Sequence, residues 1–341
     1  MTAGVVTFVQ SARKIDPVYL TLIVLLIAIA AFSTAQLLES LQFLVMALVS
    51  ISPFLLLSMA AAGGAQATGL DQRISGFVEG RTSMVILGAA LFGSLAPLCS
   101  GGVIPLIAAL LAAGVPLGPV MAFWISSPLM SIEKYLLATA VFDVGFATAY
   151  LTTAIVMGAI AGFVTQSIVT RGGFSDTLKV GVLGCCASNV LKIDRPLLWK
   201  FWREGDRVTQ FRETSLSSGA FLLKWLSLAF VIESLMVAYL PPEYVGRVLG
   251  SGDWWTVPAS IAVGIPAYLN GFAAIPMVAR LVEMGAAPGA ALAFLTAGAV
   301  TSIPAAMGVF ALVRKTVFLA YIFFGVAGSL AAGYAYQWFF V

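Results

Sequence analysis

The chain alternates between long apolar runs and brief polar interruptions, and the spacing of those interruptions sets its elements. A helix needs about 20 consecutive apolar residues to cross the hydrocarbon core of a bilayer. Seven runs meet that length as single crossings: Pro17–Leu38, Leu41–Gly64, Pro116–Phe142, Phe146–Ile168, Leu216–Leu240, Gly289–Val313 and Val317–Val341. Two further apolar runs do not read as single helices. Met84–Ala113 is broken by Pro97-Leu98-Cys99-Ser100-Gly101-Gly102, and Trp254–Met284 by Pro266-Ala267-Tyr268-Leu269-Asn270-Gly271. Each predicts two half-helices joined by an irregular turn, and both are expected to be re-entrant hairpins. Backbone of that kind persists at membrane depth only inside protein or against a water-filled cavity.

The same pattern contains a repeat. A shift of 171 residues places Gly93–Ile132 on Gly264–Ile303 without a gap, with 13 of 40 positions identical. The matches include Gly93/Gly264, Pro105/Pro276, Gly114/Gly285, Gly118/Gly289, Ala122-Phe123/Ala293-Phe294 and Ser131-Ile132/Ser302-Ile303. Glycine and proline each constrain backbone geometry, so their coincidence in order carries more weight than matched alanines. The shift also carries Leu41–Gly64 onto the Leu216–Leu240 region, hairpin onto hairpin, and the last two runs of each unit onto each other. The pattern thus predicts an all-α polytopic membrane protein, an inverted-repeat helical bundle of about seven transmembrane helices plus two re-entrant hairpins. Its expected units are an N-terminal segment with an extra helix (1–40), a first repeat (41–170, hairpin 82–113), a cytoplasmic loop (171–214) and a second repeat (215–341, hairpin 254–284). Three crossings per unit make the second unit enter from the opposite side. Inverted repeats with broken helices are the architecture of secondary transporters, whose sites lie at the midplane between the repeats.

Charge orients this layout. Of the 18 Lys and Arg residues, 14 fall on one face: Arg13/Lys14, Arg73/Arg81, eight between Arg171 and Arg212, and Arg314/Lys315. That face is cytoplasmic by the positive-inside rule, which places the N-terminus inside and the C-terminus outside, with the bacterial inner membrane as the expected location. Within the loop, Leu197-Leu198-Trp199-Lys200-Phe201-Trp202-Arg203 would suit either an interfacial helix on anionic lipid or a simple tether.

Composition removes whole function classes. Sixty per cent of the residues are hydrophobic and 10% are charged, with a mean hydropathy of +1.01. Soluble domains carry about 25% charged residues, so this chain cannot cover itself in water. There is no histidine, which excludes histidine metal ligands, histidine proton relays and histidine-dependent triads. Cys99, Cys185 and Cys186 do not make a disulfide framework. No phosphate-binding Gly-x4-Gly-Lys-Ser/Thr loop is present. No cofactor, metal or nucleic acid is expected; the expected partners are a small-molecule substrate, the lipid bilayer, a coupling proton and further copies of the chain.

Candidate substrate contacts are the hairpin tips, Cys99, Ser100, Gly101, Gly102, Asn270 and Gly271, whose backbone amides could line a central cavity. Beside them stand polar breaks in the following helices: Ser126, Ser127 and Pro128 in one, Thr296, Thr301 and Ser302 in the other. Hydroxyls in membrane helices also commonly bond their own backbone or a neighbouring helix. Pro97, Pro105, Pro128, Pro266 and Pro276 are candidate hinges. Ionisable residues inside the membrane point to function by default, and these are Glu133, Lys134, Lys224 and Glu233. Lys224 and Glu233 are read as sharing roughly one face of a helix. Glu133 and Glu233 are the carboxylates that proton coupling would use, while Arg280 and Glu283 sit near a helix end, where snorkelling accounts for them. Cys185-Cys186 could chelate a soft thiophilic species such as a trivalent arsenical, or be incidental.

The stretch Pro97-Leu98-Cys99-Ser100-Gly101-Gly102-Val103-Ile104-Pro105-Leu106, followed by Gly114-Val115-Pro116-Leu117-Gly118 and Ala122-Phe123, resembles the predicted permease family that includes ArsP-type organoarsenical efflux permeases. The second-half echo at Pro276, Gly285 and Ala293-Phe294 extends the likeness over most of the chain. The resemblance implies a membrane permease that exports small molecules. Family members commonly read Cys-Ser-Cys-Gly at the hairpin, whereas position 101 is glycine in this chain, so Cys99 alone offers no dithiol pair. Two other classes stay open on residues alone: a channel or a membrane subunit of a larger assembly, and, more remotely, an intramembrane aspartyl protease using Gly250-Ser251-Gly252-Asp253. The protease would need a second, facing aspartate, and Asp143 is the other one near a span.

Overall fold

The computed structural model describes residues 17–68, 82–96, 103–112, 114–174, 177–178, 201–239, 254–267, 271–283 and 285–340. These residues are helical nearly throughout, and the β structure among them is an isolated antiparallel bridge between Leu178 and Val313. The helices are α1 (Pro17–Phe32), α2 (Thr34–Thr68), α3 (Thr82–Leu95), α4 (Val103–Ala112), α5 (Leu117–Leu129), α6 (Ile132–Val141) and α7 (Val144–Thr170). After the central segment come α8 (Gly205–Tyr239), α9 (Thr256–Ala267), α10 (Gly271–Glu283), α11 (Pro288–Thr301), α12 (Ile303–Leu312) and α13 (Lys315–Phe340).

Local chemistry explains several boundaries. Ser33 accepts the Gln36 N–H at 3.2 Å and so starts α2. Ser131 accepts from Lys134 N at 3.3 Å and starts α6. Asp143 accepts from Phe146 N at 2.7 Å and starts α7; each side chain satisfies an otherwise orphaned donor of a first turn. Gly114 and Gly285 end the short helices before α5 and α11 with φ +86° and +101°, a backbone that disfavours any side chain.

Five helical stretches among the described residues are long and apolar enough to cross a membrane: Thr34–Pro53, Val144–Thr170, Gly205–Leu235, Pro288–Leu312 and Lys315–Phe339. The protein is an integral membrane protein, and many large apolar side chains on its outside, such as Leu38, Val49, Phe92, Leu136 and Phe323, are exposed to what must be lipid.

The structure redraws several sequence boundaries. The first two apolar runs divide at Ser33 and not at residues 39–40, because the Ser33 hydroxyl caps the second helix. Helix α8 begins at Gly205, inside the segment read as a loop. There Arg207 is anchored by Glu204 Oε2 at 2.7 Å and donates to the Ala67 carbonyl at 2.8 Å. Of the proposed interfacial helix, the described part is a single 3-10 turn, Phe201–Arg203, with Trp202 exposed. The run Pro116–Phe142 is two helices separated at Met130 and Ser131, and Gly289–Val313 is broken at Ser302. The two interrupted runs each hold two short helices, α3 and α4 in one and α9 and α10 in the other, of 10 to 14 residues. At 1.5 Å per residue each reaches about 21 Å at most, short of a core about 30 Å thick.

Architecture follows the 171-residue offset closely. It carries α2 (34 to 68) onto α8 (205 to 239) and α6 (132 to 141) onto α12 (303 to 312), end for end. Packing follows too: α3, α5 and α7 pack mutually, as do α9, α11 and α13. A methyl placed on Gly162 would lie 2.8 Å from the Ala122 methyl and 3.0 Å from the Gly118 carbonyl; on Gly333 it would lie 2.8 Å from Ala293 and 2.9 Å from the Gly289 carbonyl. These partners are related by the same offset, so each half makes one close helix crossing, α5 on α7 and α11 on α13.

Equivalent helices of the two halves run antiparallel where they meet. Along α2 and α8, Arg207 bonds Ala67 and Ser215 bonds Met59 at 3.3 Å, so one numbering rises as the other falls. Along α7 and α13, Phe146 packs edge-on against Tyr336 with centroids 5.5 Å apart, and Met157 meets Gly328.

Candidate functional site

The centre of the molecule is the meeting of α5 and α11. Every residue of α5 from Leu117 to Leu129 is buried, and so is every residue of α11 from Gly289 to Thr301. A helix enclosed on all sides lies in the interior of its bundle. These two helices are also the ones that break. Each break sits at the equivalent serine, Ser131 and Ser302, and six hydroxyls cluster in sequence around them. Ser126, Ser127, Ser131, Thr296, Thr301 and Ser302 are each no more than 6% exposed.

The breaks have identifiable causes. Before the first, Pro128 has no N–H to give the preceding turn, and Met130 and Ser131 take extended backbone (φ −135°, ψ 158° and φ −153°, ψ 166°). The stranded Pro128 carbonyl accepts from Lys134 Nζ at 2.7 Å. At the second, Ser302 is extended (φ −52°, ψ 150°) and Pro304 follows, so the Val300 carbonyl loses its usual donor. The Tyr321 hydroxyl donates to it instead at 2.7 Å. One break is therefore closed by a lysine from the next short helix, the other by a tyrosine from the long helix after it.

The two halves lock through a reciprocal pair of contacts. Trp124 packs on Tyr321 with centroids 5.5 Å apart. The pair related by the offset is Leu295 with Tyr150, and the Tyr150 hydroxyl reaches the Leu295 carbonyl at 3.4 Å. Sequence reasoning did not single out these aromatics. Tyr150/Tyr321, Gly162/Gly333 and Gln166/Gln337 are identical pairs under the shift already found, so carrying it past residue 132 would have exposed them. Gln166 and Gln337 are also alike in structure, since each has a buried side-chain oxygen without a partner among the described residues.

Several of the hydroxyls named as candidate substrate contacts bond their own helices. Ser126 donates to the Phe123 carbonyl at 3.3 Å and packs against Gly93 and Gly158 of its own half. Thr296 donates to Leu292 and Ala293 at 2.8 and 3.1 Å, and Thr301 to Ala297 at 2.6 Å. Such bonds weaken the local helix and favour bending, which suits residues beside a break. Pro97, Cys99, Ser100, Gly101, Gly102, Asn270, Asp253, Cys185 and Cys186 lie outside the described residues; Gly271 is the first residue of α10. Pro105 lies in the first turn of α4, where a missing N–H breaks nothing. Pro266 is at the end of α9 and Pro276 inside α10.

The intramembrane charges separate clearly. Glu133 is exposed and accepts from Ser131 Oγ at 3.3 Å, a role at the start of α6. Lys224 and Glu233 do not share a face: nine residues are two and a half turns, so they project from opposite sides of α8. The Lys224 ammonium lies 6.0 Å from the Phe221 ring centre, whereas Glu233 is 3% exposed. Arg280 and Glu283 are exposed near the end of α10. Asp143 serves as the cap of α7. Among the described residues, no group of three His, Cys, Asp or Glu side chains could hold a metal ion.

Residues 36–338 match a family described as predicted permeases. The chain belongs to the ArsP-type predicted permease family. A UPF0718 protein of Methanocaldococcus jannaschii is 22% identical to this permease over 293 residues, covering 72% of this chain and 80% of that one. No solved structure matches it. The family and the apolar helices together make the protein a membrane permease, a transporter in preference to an enzyme.

Proposed function

We propose that this permease is a secondary transporter that exports a small molecule by alternating access around the meeting of α5 and α11. The observation that carries this reading is the pair of breaks at Ser131 and Ser302, equivalent under the offset and set in two wholly enclosed helices. Antiparallel packing of α2 with α8 and of α7 with α13 supports an inverted repeat, with α3/α4 and α9/α10 as the arms of re-entrant hairpins. Two halves of one architecture can exchange conformations at little net cost, which gives inward-open and outward-open states of similar energy. Positive charge concentrated on one face supports an orientation with the N-terminus in the cytoplasm of a bacterial cell and the C-terminus outside.

The substrate class follows the family resemblance. Trivalent organoarsenicals are the first candidates, with other small thiophilic or anionic solutes next, because Cys99 stands without a second hairpin thiol. Purified permease in vesicles of phosphatidylethanolamine and phosphatidylglycerol is expected to move methylarsenite with saturable kinetics, and Cys99→Ser to abolish that flux. Flux that never saturates would replace the carrier with a channel, and absence of flux would remove the arsenical. A second measurement addresses mechanism without any substrate. Single cysteines at Ser127 and Thr301, in a chain whose own cysteines are serine, should react with an impermeant thiol reagent from both sides, in mutually exclusive populations. Reaction from one side alone under all conditions would overturn alternating access.

A further inference from the structure

Among the described residues, Glu233 is the intramembrane charge whose burial the fold leaves unexplained. It lies in the last two turns of α8, is 3% exposed, and its Oε2 has no hydrogen-bond partner among the described residues. An ionised carboxylate so placed would carry a large desolvation penalty, with no hydrogen-bond donor among the described residues to offset it. The helices that share most of α8's surface offer no compensating cation. Helices α9 and α12 carry no titratable side chain, α1 carries Tyr19 and α2 carries Glu39, both exposed. On α8 itself, Lys224 projects from the opposite side. The other carboxylate suspected from sequence, Glu133, is exposed and engaged with Ser131.

The offset adds a second observation. The first-half position equivalent to 233 is Ala62, which has no ionisable group. The carboxyl group is thus carried by one half alone. Helix α8 also packs on α12, the helix that starts at the second break, so movement at the break reaches it directly.

We propose that Glu233 is the proton-carrying group of this permease. It is protonated in the packed conformation, and as the halves exchange conformations it releases its proton to water and takes one up again on return, leaving carboxylate and carboxylic acid in alternation. This rests on the alternating-access reading above. The carboxyl itself can be tested without a substrate, by infrared spectroscopy of the permease in phosphatidylethanolamine and phosphatidylglycerol vesicles. The wild type should show a carbonyl-stretch band of a protonated, poorly solvated carboxyl group that shifts in D2O and disappears reversibly at high pH. That band should be absent from Glu233→Gln and retained in Glu133→Gln. A band missing from the wild type, retained in Glu233→Gln, or unaffected by pH and D2O would overturn the proposal.

Coupling is read in the same vesicles with methylarsenite. Wild-type permease should accumulate it against its gradient under an imposed pH difference, up to about tenfold per coupled proton for each pH unit. Glu233→Gln should keep downhill exchange and lose the accumulation entirely. Accumulation surviving in Glu233→Gln would overturn the proposal. Should the wild type move no methylarsenite at all, the substrate reading fails on its own, and the infrared titration decides the proton site.

Discussion

The two breaks share a position in the repeat and differ in what holds them. At the first, a cation from α6 satisfies the Pro128 carbonyl; at the second, the Tyr321 phenol satisfies the Val300 carbonyl. The residue equivalent to Lys134 is Ala305, whereas the residue equivalent to Tyr321 is Tyr150, which is present but turned to the other half at Leu295. A duplicated scaffold thus keeps its backbone geometry while its side chains diverge. One half closes its break within adjacent short segments, and the other recruits a long helix.

The difference can be broken at graded cost. Trp124→Ala should have the largest effect, about 3–5 kcal/mol as for other buried aromatics, seen as a large drop in the unfolding midpoint in detergent. It should also loosen Tyr321 and disturb the second break from the first half. Next come Gly162→Ala and Gly333→Ala, each expected to lose about 1–3 kcal/mol through overpacking. Their effects should be nearly equal, because the obstructing atoms are equivalent; a strongly unequal pair would show that the halves are not held by the same crossing.

Tyr321→Phe and Lys134→Met each leave a carbonyl unpaired, worth about 1–3 kcal/mol. They should part company in the thiol-accessibility measurement, each shifting the populations toward the state that opens its own break. Tyr150→Phe removes a long 3.4 Å bond and should cost less, about 0.5–1.5 kcal/mol. Smallest of all is Ser126→Ala. Its hydroxyl serves its own helix, so saturation of methylarsenite flux should be unchanged; a raised half-saturation constant would restore Ser126 as a substrate contact.

Much of this was readable in the sequence, for definite reasons. Apolar run lengths gave the membrane assignment, since no packing detail can override the need to satisfy backbone groups in lipid. Glycine and proline coincidences gave the 171-residue offset, because those residues constrain backbone and survive divergence. Helix continuity was less legible. Pro116–Phe142 is apolar throughout and reads as one span, yet Pro128 and the extended Met130 and Ser131 divide it, and composition alone does not say that a proline will break a helix and not merely kink it. The intrahelical bonds of Ser126, Thr296 and Thr301 were not legible either, because spacing cannot distinguish a side chain aimed at a cavity from one bonded to its own turn. Lys224 and Glu233 were misplaced by half a turn, an error that one rotation per residue corrects.

Met157 touching Gly328 has a consequence of its own. The two are the same position counted in each half, so this is where the molecule meets itself. In a dimer of identical subunits one residue type would have to fit against its own copy across such a point, as any isologous contact demands. Two methionines would collide there and two glycines would leave a hole. Carrying both halves in one polypeptide lifts that restriction and lets a knob on one side find a socket on the other. Exchanging the two residues, Met157→Gly together with Gly328→Met, should rebuild the same fulcrum from the opposite side.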